Sequence, residues 1–251
     1  MPSGAVAHVW LELLAYAVGA QWYRLNLRRS PPGVASPGPL QRWSVIAGAV
    51  FGAACGSKLL YVLQYLPALL AQPTVVWWSG KTIAGGLLGG LIGVEVAKRG
   101  TGWRASTGDA FVAPLLAGMV IGRLGCQLAG LEDLTYGGVT SLPWGWDYGD
   151  GLRRHPVALY EVFGLLLMAV AFHFARVRLA RVAGDRFRAF MVGYLLLRLA
   201  LDFLKPPHTP TAAGQLVPAF YGPLTAIQWA CVAGLAYYVP SIGRWLKNDE
   251  R

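Results

Sequence analysis

Seven apolar stretches joined by short polar connections constrain this chain more than any other feature. They cover residues 5–23, 43–66, 82–97, 108–128, 156–175, 189–204 and 222–240. An α-helix rises 1.5 Å per residue and a bilayer's hydrocarbon core is ~30 Å thick, so a span needs about 17–25 such residues. The third and sixth stretches are short by that measure, and the other five fit it. The basic residues then sort by side. Arg24, Arg28, Arg29 and Arg42 lie in the first connection and Lys98, Arg99 and Arg104 in the third. Arg176, Arg178, Arg181, Arg186 and Arg188 lie in the fifth, and Arg244, Lys247 and Arg251 follow the last stretch. If every stretch spans, these alternate connections share one face, which the positive-inside rule makes cytoplasmic. The expectation is an all-α integral membrane protein of seven transmembrane helices, N-terminus outside and C-terminus in the cytoplasm.

Composition agrees with this class. Hydrophobic residues make up 55% of the chain, mean hydropathy is +0.45, and charged residues are 14%, against the ~25% of ordinary soluble domains. A net charge of +10 would suit nucleic acid, but the basic residues flank spans, where topology and anionic lipid account for them, so no nucleic-acid partner is expected. The first stretch lacks a basic leader and a small-residue cleavage site, and reads as a retained span. Cys55, Cys126 and Cys231 all fall in apolar segments without paired spacing, which suggests neither a disulfide framework nor a metal site.

Residues 1–251 read as a single membrane domain. The Ser30–Pro39 connection is too short to be another, and no repeat stands out. The connection at about 129–154 alternates Gly130, Gly137, Gly138, Gly145, Gly149 and Gly151 with Tyr136, Trp144, Trp146 and Tyr148. Glycine permits tight turns and Trp and Tyr settle at the headgroup layer, so this loop is expected on the outer interface, as a partly ordered lid or as a connector with aromatic anchors. Glycines also stripe two spans: Gly48, Gly52 and Gly56 in one, and Gly85, Gly86, Gly89, Gly90 and Gly93 in the next. Such faces let helices approach closely in lipid. The alternative is a groove for an acyl chain.

Charges inside the spans carry the functional signal, because each costs about 2.5–3.5 kcal/mol at a helix centre on insertion scales. With the expected topology they gather in the outer half: Arg123 on the fourth span, Arg198 and Asp202 on the sixth with Lys205 at its lip, and Lys58 on the second with Tyr61 and Tyr65. Lys81 stands at the outer end of the third, His155 at the mouth of the fifth with Glu161 below it, and Glu12 on the first. Arg198 and Asp202, four apart, can satisfy each other. Lys58 can pair with Glu12, and Lys81, Lys205, Arg153 and Arg154 are shallow enough to snorkel. Arg123 has no carboxylate within a turn of its own helix, so an outside anion or Glu161 must neutralise it. Guanidinium groups at headgroup depth suit a phosphate diester. If that lipid is cleaved at carbon, the leaving phosphate is stabilised by the same groups, and His155 or Glu161 can serve as general base.

Three strings carry a family resemblance: Gly122-Arg123-Leu124-Gly125-Cys126; Leu142-Pro143-Trp144-Gly145 with Asp147 and Gly149-Asp150-Gly151; and Arg154-His155-Pro156-Val157-Ala158-Leu159-Tyr160-Glu161. With Gly85-Gly86-Leu87-Leu88-Gly89 and Arg198, Asp202, Lys205 and Pro206, the chain resembles the prolipoprotein diacylglyceryl transferases. The resemblance is dense over 80–161, moderate over 194–206 and weak elsewhere. It implies a bacterial cytoplasmic-membrane enzyme whose pocket opens to the outer leaflet. Such an enzyme moves the diacylglyceryl group of phosphatidylglycerol onto the lipobox cysteine of a prolipoprotein signal peptide, with no metal or organic cofactor. Arg123 and Arg198 would hold the headgroup phosphate, and Gly125 and Gly130 would shape the site. Lys58, Lys81, Gly85, Gly86, Arg154, Tyr160, Asp202 and Lys205 would contact the lipid.

Three positions depart from the family pattern. Ala84 stands where it has His before the paired glycines, Cys126 where it has Asn, and Ala158 where it has Gln. Without that His the base falls to Lys81 or His155. The alternatives are a phospholipid-headgroup transferase with another acceptor, or a non-catalytic lipid-binding relative.

Overall fold

The computed structural model describes residues 4–28, 38–71, 80–206, 208–210, 216–218 and 220–249. Its helices are α1 (Gly4–Arg28), α2 (Pro39–Ala71), α3 (Ile83–Gly100), α4 (Val112–Ala129), α5 (Val157–Phe174), α6 (Arg176–Leu179), α7 (Asp185–Asp202) and α8 (Ala226–Asp249). Short 3-10 turns at Gly108–Phe111 and Gly130–Asp133 flank α4. Three small antiparallel hairpins pair β1 (Trp146–Asp147) with β2 (Arg153–Arg154), β3 (His208–Pro210) with β4 (Leu216–Pro218), and β5 (Phe220–Tyr221) with β6 (Leu224–Thr225).

Every apolar stretch seen in the sequence is helical over most of its length among the described residues, although the boundaries move. The expected tail carrying Arg244 and Lys247 is helix as far as Asp249, and Arg186 and Arg188 fall inside α7. Arg29, Arg251, residues 1–3 and most of the Ser30–Pro39 connection lie outside the described residues. Three helical segments, Pro39–Leu66, Gly108–Asp133 and Val157–Phe174, are long and apolar enough to cross a membrane. Large apolar side chains stand outward along the helices, among them Trp10, Phe51, Phe163 and Phe174, the last 81% exposed. In water such a surface would aggregate, whereas lipid accommodates it.

The chain divides into two compact units. One holds Met1–Val34 and Ser106–Pro206, the other Ala35–Ala105 and Pro207–Arg251. In the second unit, α2 and α3 run antiparallel with their glycine stripes facing. A Cβ on Gly48, Gly52 or Gly56 would strike the backbone carbonyl of Gly93, Gly89 or Gly85 respectively. The stripes are therefore a helix-packing face, the first of the two readings of the sequence. The start of α8 follows from a local sequence rule. Thr225 accepts the Gln228 N–H at 3.1 Å, and the Gln228 side chain accepts the Thr225 N–H at 2.8 Å, so two helix-terminal donors are paired reciprocally.

In the first unit α1 and α4 are antiparallel and similarly close. A Cβ on Gly125 would lie 3.3 Å from Leu11 Cβ and 3.5 Å from His8 Cα. The N-terminus of α7 is closed by Asp109, whose carboxylate accepts the Gly184 and Phe187 N–H groups at 2.7 and 2.9 Å. Those donors would otherwise be orphaned in the first turn.

Candidate functional site

Three helices of the first unit bring their polar side chains to one buried point. Glu161 of α5, fully buried, is the hub. Its Oε2 accepts from Arg198 Nη1 at 3.2 Å and its Oε1 from the Tyr194 hydroxyl at 2.9 Å. Arg123 Nε of α4 stands 3.0 Å from the same Oε1. That N–H is poorly aligned for a hydrogen bond, so the contact is one of charge. Arg198 Nη2 also donates to Asp202 Oδ1, one turn on, at 3.0 Å. Tyr194, Arg198 and Asp202 recur every four residues and so share a face of α7.

Buried charge needs neutralising, and here two guanidinium groups meet two carboxylates. The Arg198–Asp202 pair expected from spacing is present, and so is Glu161 as partner of Arg123. Beyond that charge contact, Arg123 reaches Cys126 Sγ at 3.6 Å, a weak acceptor. Most of its planar fork is therefore not committed to strong hydrogen bonds among the described residues. An anion with two oxygens is the kind of partner that a planar fork suits.

Lys205, half-buried just beyond the end of α7, adds the cluster's surplus charge. Burial lowers its pKa to about 8, and the positive charge of Arg198 adds to the effect. Below pH 8 it is mainly ammonium and the cluster carries one net positive charge, matching a phosphodiester's one negative charge. Anion affinity is therefore expected to be full near pH 6.5 and to fall as pH rises through 8. Titrating short-chain phosphatidylglycerol into the detergent-solubilised protein between pH 6.5 and 9.5 checks this. Lys205→Arg should remove the fall, and a flat wild-type profile would deny Lys205 the role.

The loop at 129–154 is ordered around the mouth of α5. Gly137 N donates to His155 O at 2.9 Å, His155 N to Gly138 O at 3.0 Å, and Gly138 N to Leu204 O at 2.7 Å. A Cβ on Gly137 would lie within 2.8 Å of both His155 Cβ and Leu204 O, so only glycine fits between them. This wedge ties His155 to the end of α7, next to Lys205. His155 Nδ1 lies 3.4 Å from the Tyr160 hydroxyl, which accepts from Trp144 Nε1 at 2.9 Å. Arg154 bonds Asp150 at 2.6 Å, holding that carboxyl below its ordinary pKa, and lies over the Tyr136 ring at 5.2 Å. The hairpin turn is fixed by Asp147 Oδ1, which accepts from Gly149 N and Gly151 N. Gly130 ends α4 at φ +67°, a conformation that disfavours any side chain.

The other predicted site residues lie in the second unit. Lys58 Nζ donates to Gly80 O at 2.8 Å, and Lys81 is exposed. Gly85 packs on Gly56, while Gly86 has more room, since a Cβ there would meet Ala53 O only at 3.7 Å. Ala84 is 1% exposed. In the first unit, Glu12 accepts from Tyr16 at 2.7 Å. Sequence reasoning missed Tyr194 and read Gly137 and Gly138 only as glycines of the 129–154 loop. Tyr194 was findable from its four-residue spacing to Arg198, and the glycines only from their contacts.

A helical fold with an apolar exterior and a buried Arg–Glu–Arg–Asp chain next to Lys205 defines a membrane protein with a polar centre of net positive charge. The comparisons specify which kind. A model of the family described as prolipoprotein diacylglyceryl transferase matches residues 11–241. The phosphatidylglycerol–prolipoprotein diacylglyceryl transferase of Nitratidesulfovibrio vulgaris is 32% identical over 99% of this chain and 91% of its own length. The enzymes of the same name from Azoarcus sp. and Methylibium petroleiphilum are 31% and 34% identical, covering 91% and 76% of the chain and 87% and 74% of their own lengths. The chain belongs to the prolipoprotein diacylglyceryl transferase family.

Proposed function

We propose that this protein transfers the diacylglyceryl group of phosphatidylglycerol to the lipobox cysteine thiol of prolipoproteins in a bacterial cytoplasmic membrane. The names of its relatives support the reaction. The observation that carries it is the pair of buried guanidinium groups on either side of Glu161. In the reaction a thiol sulfur forms a bond to the glyceryl carbon, the carbon–oxygen bond to phosphate breaks, and glycerol phosphate leaves with the electron pair. The thiol proton goes to a base. Arg123 and Arg198 face the phosphate oxygens, where charge grows as the bond breaks, and such donors are often worth ~3–4 kcal/mol each. Glu161 has both oxygens engaged, so its role is to position the two arginines. Expression in a strain depleted of its own transferase tests the reading: rescue supports it and failure to rescue, with the protein present in the membrane, opposes it.

Residues 1–251 act in this proposal as one domain crossing the membrane seven times, with the loop at 129–154 over the outer face. The distribution of Lys and Arg supports that topology. Cysteines placed at positions 3 and 248 should label from outside at 3 alone. Equal labelling at both would reject seven spans.

His155 is the proposed base, because an imidazole nitrogen can accept a proton and Gly137 and Gly138 fix its backbone beside the end of α7. Arg154, Tyr160, Lys58, Lys81 and Gly86 are assigned to the lipid. His155→Ala is expected to abolish transfer of labelled diacylglycerol to a lipobox peptide while lipid binding persists. Full transfer in that variant would move the role to Lys81. Ala84 supports a second reading, in which the lipid is bound and the acceptor differs. Restoring the family's His there overfills a closed position at a cost of typically 1–3 kcal/mol. Transfer that appears only in Ala84→His would favour this second reading.

A further inference from the structure

We propose that His8, Cys126 and Asp133 form a divalent zinc-type site that binds the acceptor thiol as its fourth ligand, an inference that rests on the transferase reading. His8 belongs to α1, Cys126 to the last turn of α4, and Asp133 to the 3-10 turn that follows. One ligand atom of each lies within 4.8 Å of the others, and His8 Nδ1 is 3.9 Å from Asp133 Oδ1. Zinc bonds of about 2.0–2.3 Å in a tetrahedron put ligand atoms roughly 3.5 Å apart, so a modest contraction completes the geometry. His8 Nδ1 and Asp133 Oδ2 are buried without hydrogen-bond partners among the described residues. Burying such atoms unpaired is costly, and a cation removes the cost.

The donor set selects the metal. A thiolate, an imidazole and a carboxylate together suit Zn²⁺ far better than Mg²⁺ or Ca²⁺, which take oxygen ligands. Three protein ligands leave one position open, as in catalytic rather than structural zinc sites. Cys126 stands where the family pattern has Asn, and the same chain has Ala84 where the pattern has the His expected to take a proton. The two departures are explained together by one device. A thiol that coordinates zinc gives up its proton far more readily, so His155 can take it without the histidine that Ala84 replaces. Water leaves the metal as the acceptor thiol binds, and the proton passes by way of His155 to solvent. The bound sulfur then forms its bond to the glyceryl carbon as the carbon–oxygen bond breaks and the phosphate departs with the electrons. The thioether leaves the metal and water returns. Arg123 Nη1, 3.6 Å from Cys126 Sγ, places the phosphate site beside the metal.

The test uses the full chain in lipid nanodiscs, titrated with Co²⁺ as an optical probe and with Zn²⁺ for stoichiometry. One metal per chain is expected, with a near-ultraviolet thiolate-to-cobalt charge-transfer band. Cys126→Asn and His8→Ala should each weaken binding by more than the roughly 100-fold that even a lost outer-shell partner can cost. A lipobox peptide carrying Cys should intensify the wild-type band, and the same peptide with Ser should not. The band is read on wild type, so a variant that fails to fold leaves the test intact. No stoichiometric binding, no charge-transfer band, or transfer undiminished after chelation would each overturn the proposal. A band that responds to the peptide in a protein showing no transfer would instead support the site and overturn the transferase reading.

Discussion

Arg123→Lys is expected to lower diacylglyceryl transfer by about 100- to 1000-fold, the usual loss on removing one donor to a developing oxyanion, with the protein still folded. The charge facing Glu161 is kept, so the buried cluster stays neutralised. What is lost is the planar fork. A lysine ammonium is a point charge and cannot hold two phosphate oxygens in one plane. Arg123 commits little of that fork to the protein, its clear hydrogen bond being the weak one to Cys126. Turnover by the purified variant, read beside its thermal midpoint in detergent, separates the two effects. Wild-type turnover would reduce Arg123 to a structural counter-charge.

Glu161→Gln should have the opposite profile, with a large loss of stability. The substitution conserves shape and can keep the Tyr194 contact, yet leaves Arg123 and Arg198 buried with only Asp202 to oppose them. Breaking a buried ion pair by removing one partner typically costs about 3–5 kcal/mol. For a chain of this size each 1 kcal/mol moves the midpoint by roughly 2–4 °C, so a fall of at least about 6 °C is expected. Phosphatidylglycerol should restore part of it, because an anion that binds only the folded form stabilises it by mass action. An unchanged midpoint would mean that water or lipid, and not Glu161, neutralises the arginines.

The parts of this protein legible in its sequence are those set by local rules. Apolar length marked the helices because each stretch must satisfy its own backbone. The glycine stripes showed a packing face because a four-residue period is the period of a helix face, and α2 and α3 meet along it. That Arg123 needs a partner from outside its own helix was legible, since α4 has no acid in reach, and Glu161 was one of two candidates beside an outside anion. Tyr194 escaped notice because a tyrosine inside an apolar span looks like packing until its hydroxyl is seen to donate to Glu161. His8, Cys126 and Asp133 escaped because no spacing rule links residues from three separate elements, and the close packing of α1 on α4 that brings them together is a tertiary contact. The β1–β2 hairpin has two residues per strand, too few to show an alternating pattern.

The central claim is that this chain performs the chemistry of its family through the Arg123–Glu161–Arg198 centre, despite Ala84. The most direct measurement reconstitutes the purified protein in vesicles containing phosphatidylglycerol labelled in its diacylglyceryl group, supplies a lipobox peptide, and follows label into the peptide alongside released glycerol phosphate. The account predicts equal yields of thioether and glycerol phosphate from the wild type, little of either from Arg123→Lys or Arg198→Lys, and none with a peptide whose cysteine is replaced by serine. Phosphatidylglycerol binding without either product from the wild type would contradict it.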